Sequence, residues 1–327
     1  MKRRDFIAML AGGAAALPMS IFAQQRMRRI GVLLASGPDD ADFQAWLGAF
    51  LQRLALSGWI IGQNVRIDVH WATADAAEIH RHAAELAKAA PDVILAHGSS
   101  TVGPMLQATR TIPVVFPIIS DPVGAGFVES LARPGGNATG FMSTEYSMGG
   151  KWLELLKEIA PSISRVAVLR EATQGSGVSQ FAAIQAVASS LTVQASPINM
   201  RDAAEIERAL TEFARSRGGG LIVTAGPAAT RYRKLIISLA NRYKLPAVYY
   251  ERFFVSGGGL ASYGTDFIEH YRRAAEYVDR ILNGEKPADL PVQAPTSYKL
   301  SINLTTAKLI GLTLSPTMLA RADEVIE

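Results

Sequence analysis

Three apolar runs occur twice in this chain, in the same order. Arg29-Ile-Gly-Val-Leu33 is echoed by Ser164-Arg-Val-Ala-Val-Leu169, and Asp92-Val-Ile-Leu-Ala-His-Gly-Ser-Ser-Thr101 by Gly220-Leu-Ile-Val-Thr-Ala-Gly-Pro-Ala-Ala-Thr230. Ile112-Pro-Val-Val-Phe116 is echoed by Leu245-Pro-Ala-Val-Tyr249. Short continuous apolar runs are the mark of strands buried on both faces, as in a parallel sheet. Between them lie helical patterns. Phe43, Trp46, Leu47, Phe50, Leu51 and Leu54 recur at helical spacing before Gly58, and further helices are expected over Ala76–Ala89 and Asp266–Leu282. Strand and helix alternate, which calls for parallel strands joined by helical crossovers. The repeat therefore predicts two α/β lobes of one design, not a single doubly wound sheet.

Glycine- and proline-rich segments mark where the chain changes lobe. Gly135–Phe141, Gly257–Gly264 and Pro287–Pro295 give three crossings. The expected lobes are 28–141 with 264–286, and 142–263 with 287–327. Three crossings form a hinge that permits closure and limits shear. At 327 residues the chain is long enough to bury two cores.

Composition excludes several functions. Net charge is +4, and two of those charges lie within residues 1–23, so the body offers no general attraction for nucleic acid. The absence of cysteine excludes disulfides, thiolate metal sites, cysteine nucleophiles and a lipid-bearing N-terminal cysteine. His80 and His82 are two apart and do not share a helical face, while His70, His97 and His270 stand alone, so no metal site is expected. There is no nucleophile elbow, phosphate loop or dinucleotide fingerprint, so neither a cofactor nor an enzyme is expected.

The first 23 residues read as an export address. Lys2, Arg3 and Arg4 precede an apolar stretch from Ile7 to Leu17, and Ser20-Ile-Phe-Ala23 offers a cleavage site after Ala23. Arg3-Arg4 followed by Phe6-Ile7 resembles a twin-arginine signal, with Lys2 where Ser or Thr is usual. Both twin-arginine and general export stay open.

In open parallel sheets ligands sit beyond the carboxyl ends of the strands. The expected positions are Ser36 after the first strand, Gly98-Ser99-Ser100-Thr101 after the third, and Ser120-Asp121 after the fourth. In the second half they are Glu171 and Tyr250, with Asp266 at the start of the returning helix. At Gly98–Thr101 a helix begins, so backbone N–H groups, the helix dipole and three hydroxyls suit a carboxylate. Simple helix capping explains the same residues equally well. Asp121 and Glu171 are candidates for a ligand amine, against turn or loop roles. Tyr250 is a stacking candidate, against core packing.

The run Pro113–Gly140, the segment Gly258–Gly264, and the tail Ser301–Leu312 continuing through Leu319–Glu324 resemble the ABC transporter substrate-binding family related to tryptophan/tyrosine-binding proteins. The likeness spans the mature chain. It implies a type I periplasmic binding fold, with two Rossmann-like lobes of parallel sheets on a three-segment hinge. It also implies a soluble periplasmic monomer that binds an amino acid or related carboxylate and delivers it to an inner-membrane permease with its ATPase. A sensor subunit for a membrane signalling protein is the alternative. In the family the carboxylate lies at a Ser/Thr-rich helix start, which matches Ser99, Ser100 and Thr101. One loop departs from the pattern. After the first strand of the second lobe this chain has Glu171-Ala-Thr-Gln-Gly-Ser-Gly177 where relatives often carry Asn and Pro.

Overall fold

The computed structural model describes residues 26–73, 75–173 and 175–327; the segment read as an export signal lies outside them. The first lobe begins β1 (Arg28–Leu34), α1 (Ala41–Leu56), β2 (Val65–Trp71), α2 (Ala76–Ala89), β3 (Val93–Ala96), α3 (Ser99–Ala108), β4 (Val114–Ile119) and β5 (Ala138–Met142). The second continues through α4 (Met148–Ile159), β6 (Arg165–Arg170), α5 (Gly175–Ala188), β7 (Gln194–Asn199), α6 (Ala203–Phe213) and β8 (Gly219–Val223). Then come α7 (Pro227–Arg231), α8 (Arg233–Arg242), β9 (Ala247–Tyr249), α9 (Phe253–Ser256) and β10 (Ala261–Gly264). The chain closes with α10 (Phe267–Leu282), β11 (Lys299–Asn303), α11 (Leu304–Ile310), α12 (Pro316–Arg321) and β12 (Glu324–Ile326).

The strands form two sheets, ordered β2-β1-β3-β4-β5 and β12-β11-β10-β9-β8-β6-β7. Five strands of the second sheet repeat the first sheet's order, position for position. All pairings are parallel except β10 with β11. The two-lobe reading of the repeated runs is thus correct in fold. β4 runs beyond Phe116, where the apolar pattern stopped. Pro117 has no N–H to give, and the pairing with β5 shifts register between Phe116 and Ile119.

Burial explains the apolar runs. Ile30, Val32 and Leu34 face one core and Leu33 the other, and all four are fully buried. The smaller core lies between the first sheet and α2 and α3. The larger is continuous, running from the opposite face of that sheet through α1 and α10 into the second lobe. Trp46 of α1 is its joint. It stacks on His97 at a 5.4 Å ring separation and meets Phe253 of the second lobe and Phe267 of α10 at 6.0 and 5.2 Å. Helix α10 packs on α1, β3 and β4, so it belongs spatially to the first lobe.

The stretch after α10 differs from the sequence grouping of 287–327 with the second lobe. Backbone N–H groups of Val292 and Gln293 donate to Leu131 and Gly140, and Thr139 Oγ1 donates to Leu290 O at 2.6 Å. Residues 287–293 thus extend the edge at β5, and the chain crosses after them. An extended, proline-bearing segment needs partners for its backbone groups, and that edge offers them.

A largely buried ion pair joins the lobes. Arg233 of α8 donates to Asp40, the N-cap of α1, at 2.7 Å; both side chains are largely buried. Burial pushes the Asp40 carboxyl up, but hydrogen bonds from Arg233 and Ser36 outweigh this and hold it below its ordinary range. Breaking one partner of such a pair leaves an uncompensated charge, at a cost of a few kcal/mol. Replacing Arg233 by Leu, or Asp40 by Asn (which keeps an N-cap acceptor), should shift the equilibrium between joined and separated lobes at least tenfold toward separation, about 1.4 kcal/mol. Small-angle scattering should then give a larger radius of gyration for both variants; unchanged radii would show that the bridge does not hold the lobes together.

Candidate functional site

Both sheets present the carboxyl ends of their strands to the space between the lobes. A cleft of about 580 Å³ lies there. The first lobe lines it with Ala35, Ala76, Ile79, His80, Ser100 and Pro104. The second contributes Glu171, Thr173, Asn199, Thr230, Arg231 and Tyr232, among others.

The two walls are built alike and charged differently. In the first lobe α3 starts at Gly98, whose φ of +79° is a conformation glycine adopts without strain. The helix start has no side-chain cap. Thr101 and Val102 N–H groups turn back to Gly98 O, leaving the N–H groups of Ser99 and Ser100 and their hydroxyls without partners among the described residues. In the second lobe the equivalent start, at α7, is occupied. Glu171 accepts from Ala228 N–H at 3.1 Å. Gly177 holds this carboxylate's backbone from behind, since a Cβ there would stand 2.7 Å from Glu171 O. Burial pushes the Glu171 carboxyl up, and the Ala228 N–H partly offsets this.

The structure brings Ser100 and Glu171 to opposite walls of this cleft, with Gly98 and Ser99 at the same helix start. The other candidates take different places. Ser36 donates to Asp40 at 2.8 Å. Thr101 is fully buried and its hydroxyl donates to His97 O. Ser120 pairs with Ser143 at 3.2 Å. Asp121 accepts from Gly124 N–H at 2.7 Å and also faces the second lobe, 3.6 Å from where a Cβ of Gly175 would stand. Tyr250 is buried, and its hydroxyl meets Thr230 of the cleft wall at 2.8 Å. Asp266 caps α10, pairs with Lys299 at 2.7 Å, and borders a different space.

That second space, of about 600 Å³, also lies between the lobes, lined by Asp42, Trp46, Glu251, Asp266, Lys299 and neighbours. Glu251 is 3% exposed. One of its oxygens accepts from Phe253 N–H at 2.6 Å. Burial, with Asp42 nearby adding to it, raises its carboxyl to about 8.

Several lining residues had no signal in the sequence. Asn199 ends β7, a strand whose Gln194–Asn199 run is too polar to stand out, and Arg201 follows it. His80 reaches the cleft from the first turns of α2. His70 and His82, which sequence spacing separates, are brought together: their Nδ1 atoms lie 2.9 Å apart. The pairing comes from β2 running beside α2, so the reading of His70 as isolated is corrected. His97 is buried beneath Trp46, meets the Tyr271 hydroxyl at 2.7 Å, and is pulled by burial to about 3, hence neutral.

Comparison with known proteins follows the same lines. A family model described as ABC transporter substrate binding protein matches residues 40–326. A curated tyrosine-binding protein of Clostridioides difficile is 26% identical over 263 residues, 80% of this chain and 75% of that protein. A conserved domain protein from Vibrio cholerae aligns at TM-score 0.84 and 27% identity, over 92% of this chain and all of that one. The ABC domain from Streptococcus pneumonia in complex with L-Trp aligns at 0.83 and 24%, over 91% and 99%. The ligand-free, open structure of a Clostridium difficile substrate binding protein with adhesive properties aligns at 0.69 and 24%, over 91% and 99%.

Glu251 gives this protein a pH-dependent stability of known sign. The folded carboxyl titrates near 8 and the free side chain at 4.5. Between those values the folded state keeps a proton that the unfolded state has lost, so stability falls as pH rises through the window and the full penalty applies above it. Replacing Glu251 by Gln, which retains the acceptor for Phe253 N–H, should leave the melting temperature unchanged near pH 4.5 and raise it at pH 8. Equal melting curves at both would show that Glu251 is ionised at no cost.

Proposed function

The chain belongs to the family of ABC transporter substrate binding proteins, and on that premise we propose that it is the exported receptor of an importer, taking an aromatic amino acid into the cleft between its lobes. The asymmetry of the two helix starts carries this reading. An amino acid bears a carboxylate and an ammonium on one carbon. The start of α3, with two N–H groups and two serine hydroxyls unengaged, suits the carboxylate, since a helix start favours negative charge and charged hydrogen bonds are strong. Glu171 at the opposite wall suits the ammonium. The cleft's volume lies within the few hundred to a thousand Å³ of small-molecule sites. Tyr232 and His80 offer flat faces for an aromatic side chain. The relative named for tyrosine and the neighbour holding L-Trp support that choice.

A ligand that bridges the walls binds only when both are near, so it shifts the population toward the closed form, and the permease reads that form. The lobes here align better with the L-Trp complex than with the open structure at the same identity, 0.83 against 0.69, which supports a closed arrangement. Export follows from residues 1–23, with cleavage after Ala23 releasing the chain to the periplasm as a monomer; no cysteine is present to carry a lipid.

Thermal-shift measurements test this. L-Tyr or L-Trp at a hundredfold excess over Kd should stabilise the protein by about 2.7 kcal/mol. Replacing Ser100 by Ala should weaken binding about tenfold, the value of a hydrogen bond to a charged group. Replacing Glu171 by Gln should weaken L-Trp and leave its deaminated analogue indole-3-propionate unaffected. Stabilisation by neutral sugars alone would refute the amino-acid reading. Equal loss of both indole ligands would confine Glu171 to capping α7.

A further inference from the structure

At the sheet edge where β2 lies beside α2, three side chains converge. His70 comes from β2, and His82 and Glu85 from α2. Nδ1 of His70 lies 2.9 Å from Nδ1 of His82, which lies 3.2 Å from Glu85 Oε2; His70 Nδ1 to the same oxygen is 3.7 Å. A tetrahedral ion with bonds of about 2.0–2.1 Å separates its ligand atoms by about 3.3 Å. The three distances straddle that value. We infer that His70, His82 and Glu85 form a binding site for a divalent transition-metal ion of the zinc class. The inference is independent of the proposed ligand in the cleft.

The donor set states the class. Two imidazole nitrogens and one carboxylate oxygen suit zinc, cobalt, nickel or copper, and a set this poor in oxygen does not suit magnesium or calcium. Three protein ligands leave a fourth position for water. Without metal, two neutral rings at 2.9 Å share one N–H between their Nδ1 atoms. On binding, that proton moves to the Nε2 of its own ring, so both rings stay neutral and both Nδ1 lone pairs face the ion. Glu78 Oε1, 3.9 Å from His82 Nε2, adds a nearby negative charge without a hydrogen bond. Asp68, beside His70 on β2, adds negative potential. Arg81 opposes: it lies 3.2 Å from His82 Nε2 and 3.0 Å from Glu85 Oε1. Its side chain is 56% exposed and is free to turn into solvent. His70 and His82 are 24% and 15% exposed, so the nitrogens are held in place yet reachable. An ion here clamps β2 to α2, whose first turns line the cleft through Ala76, Ile79 and His80.

The test uses full-length protein purified without a polyhistidine tag. Co²⁺ titration should show one equivalent bound, with visible absorption that Zn²⁺ abolishes. His70→Ala and His82→Ala should each weaken binding at least tenfold, and Glu85→Gln less. His80→Ala, two positions before His82 and outside the cluster, should bind Co²⁺ as the wild type does. Imidazole nitrogen NMR of the wild type needs no variant: Zn²⁺ should shift two Nδ1 signals and leave those of His80, His97 and His270 in place. No stoichiometric absorption, shifts at other histidines, or equal loss in His80→Ala would overturn the site.

Discussion

Burial of the strands on both faces is the constraint from which the rest follows. Val32, Leu33 and Leu34 are fully excluded from water, as are Val166 to Leu169 and Leu221 to Val223. A strand buried on both faces needs helices above and below, and helices between parallel strands make every strand point the same way. The carboxyl ends then gather along one rim of each sheet. With two sheets of the same order, two such rims face each other. The cleft is a by-product of core burial, and its residues come from loops that the core holds in place.

The walls differ because one helix start has an internal anion and the other has none. Glu171 occupies the Ala228 N–H at the start of α7, whereas α3 begins at a glycine that has no side chain to offer. A dipole end without a partner attracts negative charge, and a half-buried carboxylate attracts positive charge. Between these walls the Asp40–Arg233 pair and the aromatic joint at Trp46 tie the lobes together. One is directional and sensitive to removal of a partner; the other is apolar and tolerant of small rotations.

The repeated strands, the helices over 76–89 and from Asp266, and the carboxyl-end loops were legible because each is written in neighbouring residues. The fate of individual side chains was not. Ser36 looks available in sequence, but Asp40, across the turn that leads into α1, accepts its hydroxyl. Thr101 looks like a donor to solvent, but its position in the first turn of α3 directs it to His97 O. Capping and ligand binding draw on the same residue types, so sequence leaves both open at Gly98–Thr101. The edge role of residues 287–293 was hidden because a strand-like partner at the sheet edge leaves no apolar alternation.

By itself the sequence determined that this chain forms two α/β lobes, where their repeated core strands run and which loops follow them. Hydrophobic period and turn chemistry act over a few residues and survive in one dimension. Tertiary structure alone decided which polar groups meet. Asp40 finds Arg233 across 193 positions and His97 finds Tyr271 across 174. His70 meets His82 only because a strand lies against a helix. Electrostatic and hydrogen-bonding partners depend on distances through space of a few ångströms, and those are set by how the lobes pack.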